Sequence, residues 1–372
     1  MADEAKAGGA EDGAAANGGT KPAAQYSASR GLAGWLARER VVLAVTSYQS
    51  GRLYLIGASP RGGLMVNERI FGTAMGLSVP REGTLLMAAS HRIVRLENVL
   101  EPDQRADAVF DAAYVPRMTW ITGEIDLHDV GLLPDGRPVF VATAWNCLAT
   151  PSDRHGFAPY WVPPFVSKLV REDRCHLNGM AMGADGPAYV TAVSRSDTVD
   201  GWRDRRADGG VIVDVATGGI VARGLSMPHS PRLRADGTLW VLNSGTGELG
   251  RVDRDAPPEA AFAPVAFCPG FVRGLAFHGP HAAIGLSKPR HHRFEGLALD
   301  RRLADADSEP WCGVQIVDLN DGSVAHWFRI DGAVSEVYDV AILPGRSCAM
   351  SVGLESPEIR SLVTHEPWGG HG

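Results

Sequence analysis

One pattern recurs six times along the chain and constrains its fold more than any other feature: an apolar strand, a tight polar turn and a second apolar strand. The copies read MGLSVPREGTLLMAAS, HDVGLLPDGRPVFVATAW, NGMAMGADGPAYVTAVS, SPRLRADGTLWVLNSG, RGLAFHGPHAAIGLS and YDVAILPGRSCAMSVG. PDG, ADG and HGP supply residues that tolerate a hairpin backbone, and the flanking Val/Leu/Ala runs read as buried strands. A weaker strand pair follows each copy, clearest in GGVIVDVATGGIVARG and CGVQIVDLNDGSVAHWFRI. Four strands per repeat predict an all-β fold, a single β-propeller.

The count is six blades, with seven open if the N-terminal segment stands alone. That segment, VVLAVTSYQSGRLYLIGASPRGGLMVNERIF, reads as a blade lacking its first strand. Joined to the last hairpin it would close the ring and remove the sheet edges. GLAGWLARER before it has the spacing of a short amphipathic helix. Residues 1–28, rich in Ala and Gly, are expected to be a disordered tail, with the propeller over 29–365 and a flexible tail over 366–372.

Charge and composition narrow the function. A net charge of −7 argues against general binding of nucleic acid or anionic membrane, both of which require a basic surface. No apolar run is long enough for a membrane helix, and the acidic N-terminus lacks the apolar region of a signal peptide. Five cysteines without a CxxC pair fit free thiols in a reducing cytoplasm.

In a propeller, equivalent positions of successive inner strands line one channel. Aligning the hairpins places Met75, His128, Asn178, His229, Arg273 and Tyr338 at one such position. Two residues earlier, on the same strand face, stand Thr73, Asp126, His176, Met227, Phe271 and Glu336. The ends of second strands add Asn146, Asn243 and Lys288, and the N-terminal segment adds Gln49. Three long segments, NCLATPSDRHGFAPYWVPPF, SRSDTVDGWRDRRADGG and KPRHHRFEGLALDRRLADADSEPW, are expected to leave second strands for third strands on that same face. They carry Trp145, Tyr160, Trp161, Trp202 and Trp311, which suit a lid, and Arg195, Arg203 and Arg290, which would concentrate anions.

Three chemistries fit this set. His128, His176 and His229, with Glu336 or Asp126, could ligate a divalent metal such as Zn, Fe, Mn or Cu. Without metal, a histidine serves as general base, Tyr338 as acid and Arg273 as bidentate anchor for a small polar or anionic substrate, in a lyase, isomerase or hydrolase. Asn178, Asn146, Asn243, Lys288 and Gln49 would then contact substrate, and Glu336 would orient the catalytic groups. Thirdly, the pocket only binds, a metabolite or a peptide, and the protein is a scaffold or sensor. Cys175 beside His176 reads as structural, and the HisHisArg run at 291–293 as polar loop.

The segments TSYQSGRLYLIG, HLNGMAM, MPHSPRLRADGTLWVLNSGTGELGRV, CPGFVRGLAF and SEVYDVAILPG resemble a bacterial family labelled domain of unknown function 4915, over residues 31 to 355. The resemblance implies a propeller-like single domain and no particular reaction. A weaker likeness is to gluconolactonase and regucalcin-like six-bladed propellers, which hold a divalent cation with Glu, Asn and Asp. Asn178 and Glu336 match that ligand style, but this chain puts histidines and an arginine where those enzymes carry acidic and amide groups.

Overall fold

The computed structural model describes residues 24–289 and 294–366. Six small sheets, each built on one inner strand, form the ring of a six-bladed β-propeller. Each inner strand packs on the next, and the sixth packs on the first. The inner strands are Ala74–Arg81, Leu127–Leu132, Leu177–Gly183, Pro228–Leu233, Phe271–His278 and Asp339–Pro344, numbered here as blades 1 to 6. Apolar side chains fill every seam between neighbouring sheets, as with Val139, Val141, Met180 and Val190 between blades 2 and 3.

The PDG and ADG turns work as their residues dictate. Asp135 and Asp236 accept backbone N–H bonds of 3.0 and 2.9 Å from the residues two positions on. Gly136 and Gly237 supply the left-handed φ of 84° and 80° that closes each hairpin.

Closure is as expected in outline and different in detail. Val41–Ser47 pairs antiparallel with Asp339–Pro344, so strands from both ends of the chain build blade 6. The sixth copy of the repeat is therefore no hairpin. Its inner strand takes the N-terminal strand as partner, and its second half leaves the blade. Ala349–Ser351 instead adds in parallel to the outer edge of blade 1, beside Ala112–Ile121. At the other end, Gln25–Ala28 pairs with the outer strand of blade 5, Val324–Asp331, so ordered structure begins within the expected tail. Residues 1–23 and 367–372 lie outside the described residues, as do Arg290 and the HisHisArg run. The expected helix is present at Leu32–Glu39, and its buried Leu32, Trp35 and Leu36 cover the seam between blades 5 and 6.

One further segment departs from expectation. Cys147–Thr150 is itself the third strand of blade 2, reached from Pro138–Ala142 by a single 3₁₀ turn, so the loop in that blade falls after the third strand, at 151–157. The other two long segments, 193–209 and 288–312, do join second to third strands.

At mid-channel the blades are tied together by charge. Arg232 of blade 4 donates to Asp129 of blade 2 at 2.9 Å, to the carbonyls of Met180 in blade 3 at 3.2 Å and Leu275 in blade 5 at 3.1 Å, and to Asp339 of blade 6 at 3.5 Å. Asp339 in turn accepts the Leu77 backbone N–H of blade 1 at 2.8 Å. One buried cation and two carboxylates thus touch all six inner strands. Replacing Arg232 by Met would leave two buried carboxylates without their cation, an arrangement that costs about 3–5 kcal/mol. Chemical denaturation of Arg232→Met is expected to show a loss of that order, and an unchanged midpoint would show that the triad does not hold the ring.

Candidate functional site

The central triad divides the channel into two cavities. On the face of the short turns, a cavity of about 560 Å³ is lined mainly by backbone and aliphatic groups around Arg232 and Asp129. On the opposite face a cavity of about 540 Å³ collects most of the titratable side chains. Its walls include Asp126, His128, Asp173, His176, Arg273 and Tyr338. The second cavity is the candidate site.

The backbone that delivers these side chains is strained in a repeated way. Asp126, His176 and Met227, at equivalent positions in blades 2, 3 and 4, have φ of 59°, 50° and 48°. Non-glycine residues rarely adopt this conformation, and it is kept where surrounding structure enforces it. Hydroxyls at the ends of second strands fasten neighbouring blades together, and the one on Leu177 adjoins His176. Thr46, Thr143, Ser244 and Ser287 donate to the Met75, Leu177, Val272 and Val337 carbonyls of the following blade at 2.6, 2.6, 2.6 and 2.9 Å.

His176 is the best organised of the titratable groups. Its Nδ1 lies 2.9 Å from Asp173 Oδ2, which also accepts the Trp202 indole N–H at 2.9 Å. The Trp202 ring stacks on the imidazole at 4.2 Å between centroids. With Nδ1 donating to a carboxylate, the tautomer is set and Nε2 is left as a lone pair at the cavity wall. Burial lowers the pKa of His176, opposed by the hydrogen bond to Asp173. The lowered pKa favours the neutral ring, in which Nε2 can accept a proton.

His128 stands edge-on to His176 at 4.9 Å and to Tyr338 at 5.7 Å. Its Nδ1 is 3.3 Å from Asp126 Oδ1. Burial pushes the Asp126 carboxyl up, but His128, His176 and Arg273 outweigh it and hold it down at about 2. Arg273 lies over the rings of Phe271 and Tyr338, 5.0 and 5.3 Å from their centroids. Tyr338 is 7% exposed, and its hydroxyl has no hydrogen-bond partner among the described residues. Burial raises its pKa well above the ordinary phenol value, so the hydroxyl remains a donor.

The structure thus brings His128, His176, Arg273, Glu336, Tyr338 and Lys288 to one cavity. Lys288 also pairs with Asp331 at 3.3 Å. The remaining expected contacts lie elsewhere. Asn178 and His229 face each other, with the Asn178 amide 3.3 Å from His229 Nε2 and Thr191 donating to Asn178 Oδ1 at 2.7 Å. His229 Nδ1 is held by the Met227 carbonyl at 2.8 Å, and burial, with Arg273, lowers its pKa well below the usual value. Both of its nitrogens are therefore engaged. Asn146 and Asn243 accept the backbone N–H of Cys175 and Ser226 at 3.0 and 2.7 Å and so brace turns. Gln49 spans the 333–335 loop through Ala333 and Ser335.

Among the described residues no three His, Cys, Asp or Glu side chains are grouped to hold a metal ion, and the three histidines each answer to different partners. Cys175 is fully buried, its thiol pushed up chiefly by burial. Of the five loop aromatics expected to form a lid, Trp202 lines the cavity, joined by Phe294, and Arg203 lines it over the Trp202 ring at 4.5 Å, beside Arg206. Arg195 instead sits over Phe165. Asp173 and Tyr48 escaped the sequence reading. A carboxylate three residues before a channel histidine is the one signal that could have marked Asp173.

The comparisons fit the fold. A family model described as domain of unknown function (DUF4915) matches residues 30–352. No curated protein matches. Among solved structures, a protein of unknown function from Bacteroides caccae is 11% identical, with a TM-score of 0.50 over 82% of this chain and 98% of its own. A putative gluconolactonase is 13% identical, with a TM-score of 0.43 over 71% and 90%. The virginiamycin B lyase of Staphylococcus aureus is 10% identical, with a TM-score of 0.38 over 82% and 99%. No helix among the described residues is long and apolar enough to cross a membrane.

Because the Tyr338 hydroxyl is buried without a partner, removing it relieves an unmet hydrogen-bonding demand. Tyr338→Phe is expected to fold with stability unchanged or raised by about 1 kcal/mol. A loss of more than that in thermal or chemical denaturation would assign the hydroxyl a structural role.

Proposed function

The chain belongs to the DUF4915 family, and from its residues we propose an enzyme that binds a small anion in the 540 Å³ cavity and moves a proton on it. The observation that supports this most directly is the Asp173–His176 pair, fixed by Trp202, which leaves a neutral imidazole nitrogen at the cavity wall. That is the arrangement of a general base with its orienting group.

In the mechanism, Arg273 anchors the anionic group through its planar fork. His176 Nε2 accepts a proton from the substrate, and Asp173 stabilises the imidazolium that forms. The Tyr338 hydroxyl, kept protonated by burial, donates to the oxygen on which charge develops. His128, in contact with both His176 and Tyr338, orients the two. Return of the proton at another position completes an isomerisation, and expulsion of a leaving group completes a lyase reaction. A phenol and an imidazole across one cavity serve either course.

The test is solvent-deuterium incorporation into bound organic anions, followed by NMR in ²H₂O. Exchange or turnover is expected in the parent and is expected to fall about 10²–10⁴-fold in His176→Asn. Binding of the anion without exchange or turnover in the parent would convert the site to a non-catalytic receptor.

The pH dependence follows from burial. The active form of His176 is the neutral one, and its pKa is lowered, so activity is expected to persist below the ordinary imidazole midpoint of about 6.5 before it is lost. Asp173 opposes that lowering, so Asp173→Asn is expected to move the acid limb further down while reducing the rate. An acid limb that rises instead, or stays fixed, would exclude His176 as the base.

A further inference from the structure

We infer that the substrate carries a hydrogen-bond donor, an ammonium or a hydroxyl, close to its anionic group, and that Asp126 receives it. The inference rests on reading this cavity as an anion site, and it adds the class of anion.

The cavity offers a ligand two kinds of hydrogen-bonding capacity. One is a donor: the Tyr338 hydroxyl, buried and without a partner among the described residues. The other is an acceptor. The Asp126 carboxylate, 42% exposed at the cavity wall, has one oxygen, Oδ1, against His128 Nδ1 at 3.3 Å. Its Oδ2 has no hydrogen bond among the described residues, and an ionised carboxylate accepts at both oxygens. Arg273 lies over the Tyr338 ring at 5.3 Å and lines the same cavity as Asp126, which brings the donor and the acceptor to one guanidinium.

A simple carboxylic acid could pair with Arg273 and Tyr338 but would set its charge against the Asp126 carboxylate. An acid with a donor one or two atoms from its anionic group can engage all three. An ammonium would gain a charge-assisted bond to the Asp126 carboxylate, and a hydroxyl would donate to the same oxygen.

Titration calorimetry on the full chain tests this with the 2-amino, 2-hydroxy and unsubstituted forms of two skeletons, propionate and 3-phenylpropionate. At least one donor-bearing form is expected to bind about tenfold or more tightly than its unsubstituted parent, since a polar site left unpaired discriminates strongly. Asp126→Asn tests the assignment without backbone strain, because asparagine tolerates positive φ. This variant should abolish any preference for the amino form, keep the unsubstituted acid within about threefold, and leave a hydroxy preference weakened. Tighter amino than hydroxy binding would identify the donor as an ammonium, and the reverse as a hydroxyl. Equal or weaker binding of both donor-bearing forms, a preference that survives in Asp126→Asn, or no binding by any of the six acids would overturn the inference. Failure of the catalytic reading looks different. A donor preference that depends on Asp126, in a protein that exchanges no substrate proton, would retain this inference and remove the enzyme.

Discussion

The ring depends on one buried arginine. A propeller has no central core, and its inner strands meet only neighbours, so opposite blades need a link through the channel. Arg232 supplies it by bonding to Asp129, Asp339 and the carbonyls of Met180 and Leu275. The three charges are tolerable at this depth because almost every polar atom is answered. Asp129 also accepts the Val130 and Met180 N–H groups, and Asp339 those of Leu77 and Val340. Burial still raises the Asp339 carboxyl to about 7, against the pull of Arg232, as expected where two acids share one cation.

The same link decides where function can sit. It stands at the inner end of one cavity, lined by Arg232 and Asp129, and the second cavity lies beyond it, lined by neither. The left-handed residues at the starts of the inner strands then turn Asp126 and His176 into that cavity. Ser and Thr hydroxyls fasten the inner strands of blades 1, 3, 5 and 6 to the blades before them. On the cavity side, Asp173 and Trp202 fix the His176 ring.

Much of this was legible in the sequence, and what was not has a common cause. Hairpin turns and apolar alternation are local, so six repeats and closure by the N-terminal strands could be read directly. Position within the repeat is also local, and it correctly grouped His128, Arg273, Tyr338 and Glu336 at one cavity. The hydroxyl at the end of nearly every second strand, as in VTS, AAS, AVS, LNS and GLS, was equally visible and marks a clamp in several blades. So was the HisAsp and TyrAsp pairing that places Asp129 and Asp339 one residue past the cavity wall.

The sequence by itself determined the propeller repeat, the place of ring closure and several of the polar residues at the cavity, because these follow from periodicity. Tertiary structure alone decided which of those residues remain available. Asn178 and His229 occupy positions equivalent to His128 and Tyr338, yet they satisfy each other. Asn146 and Asn243 look like ligands and serve as turn braces. It also decided that residues 349–351 leave their own hairpin for the edge of blade 1, and that Trp202 reaches across to lock Asp173. Each of these outcomes is a competition between hydrogen-bond partners distant in sequence, and such a competition is settled only when the chain has closed and water has been excluded.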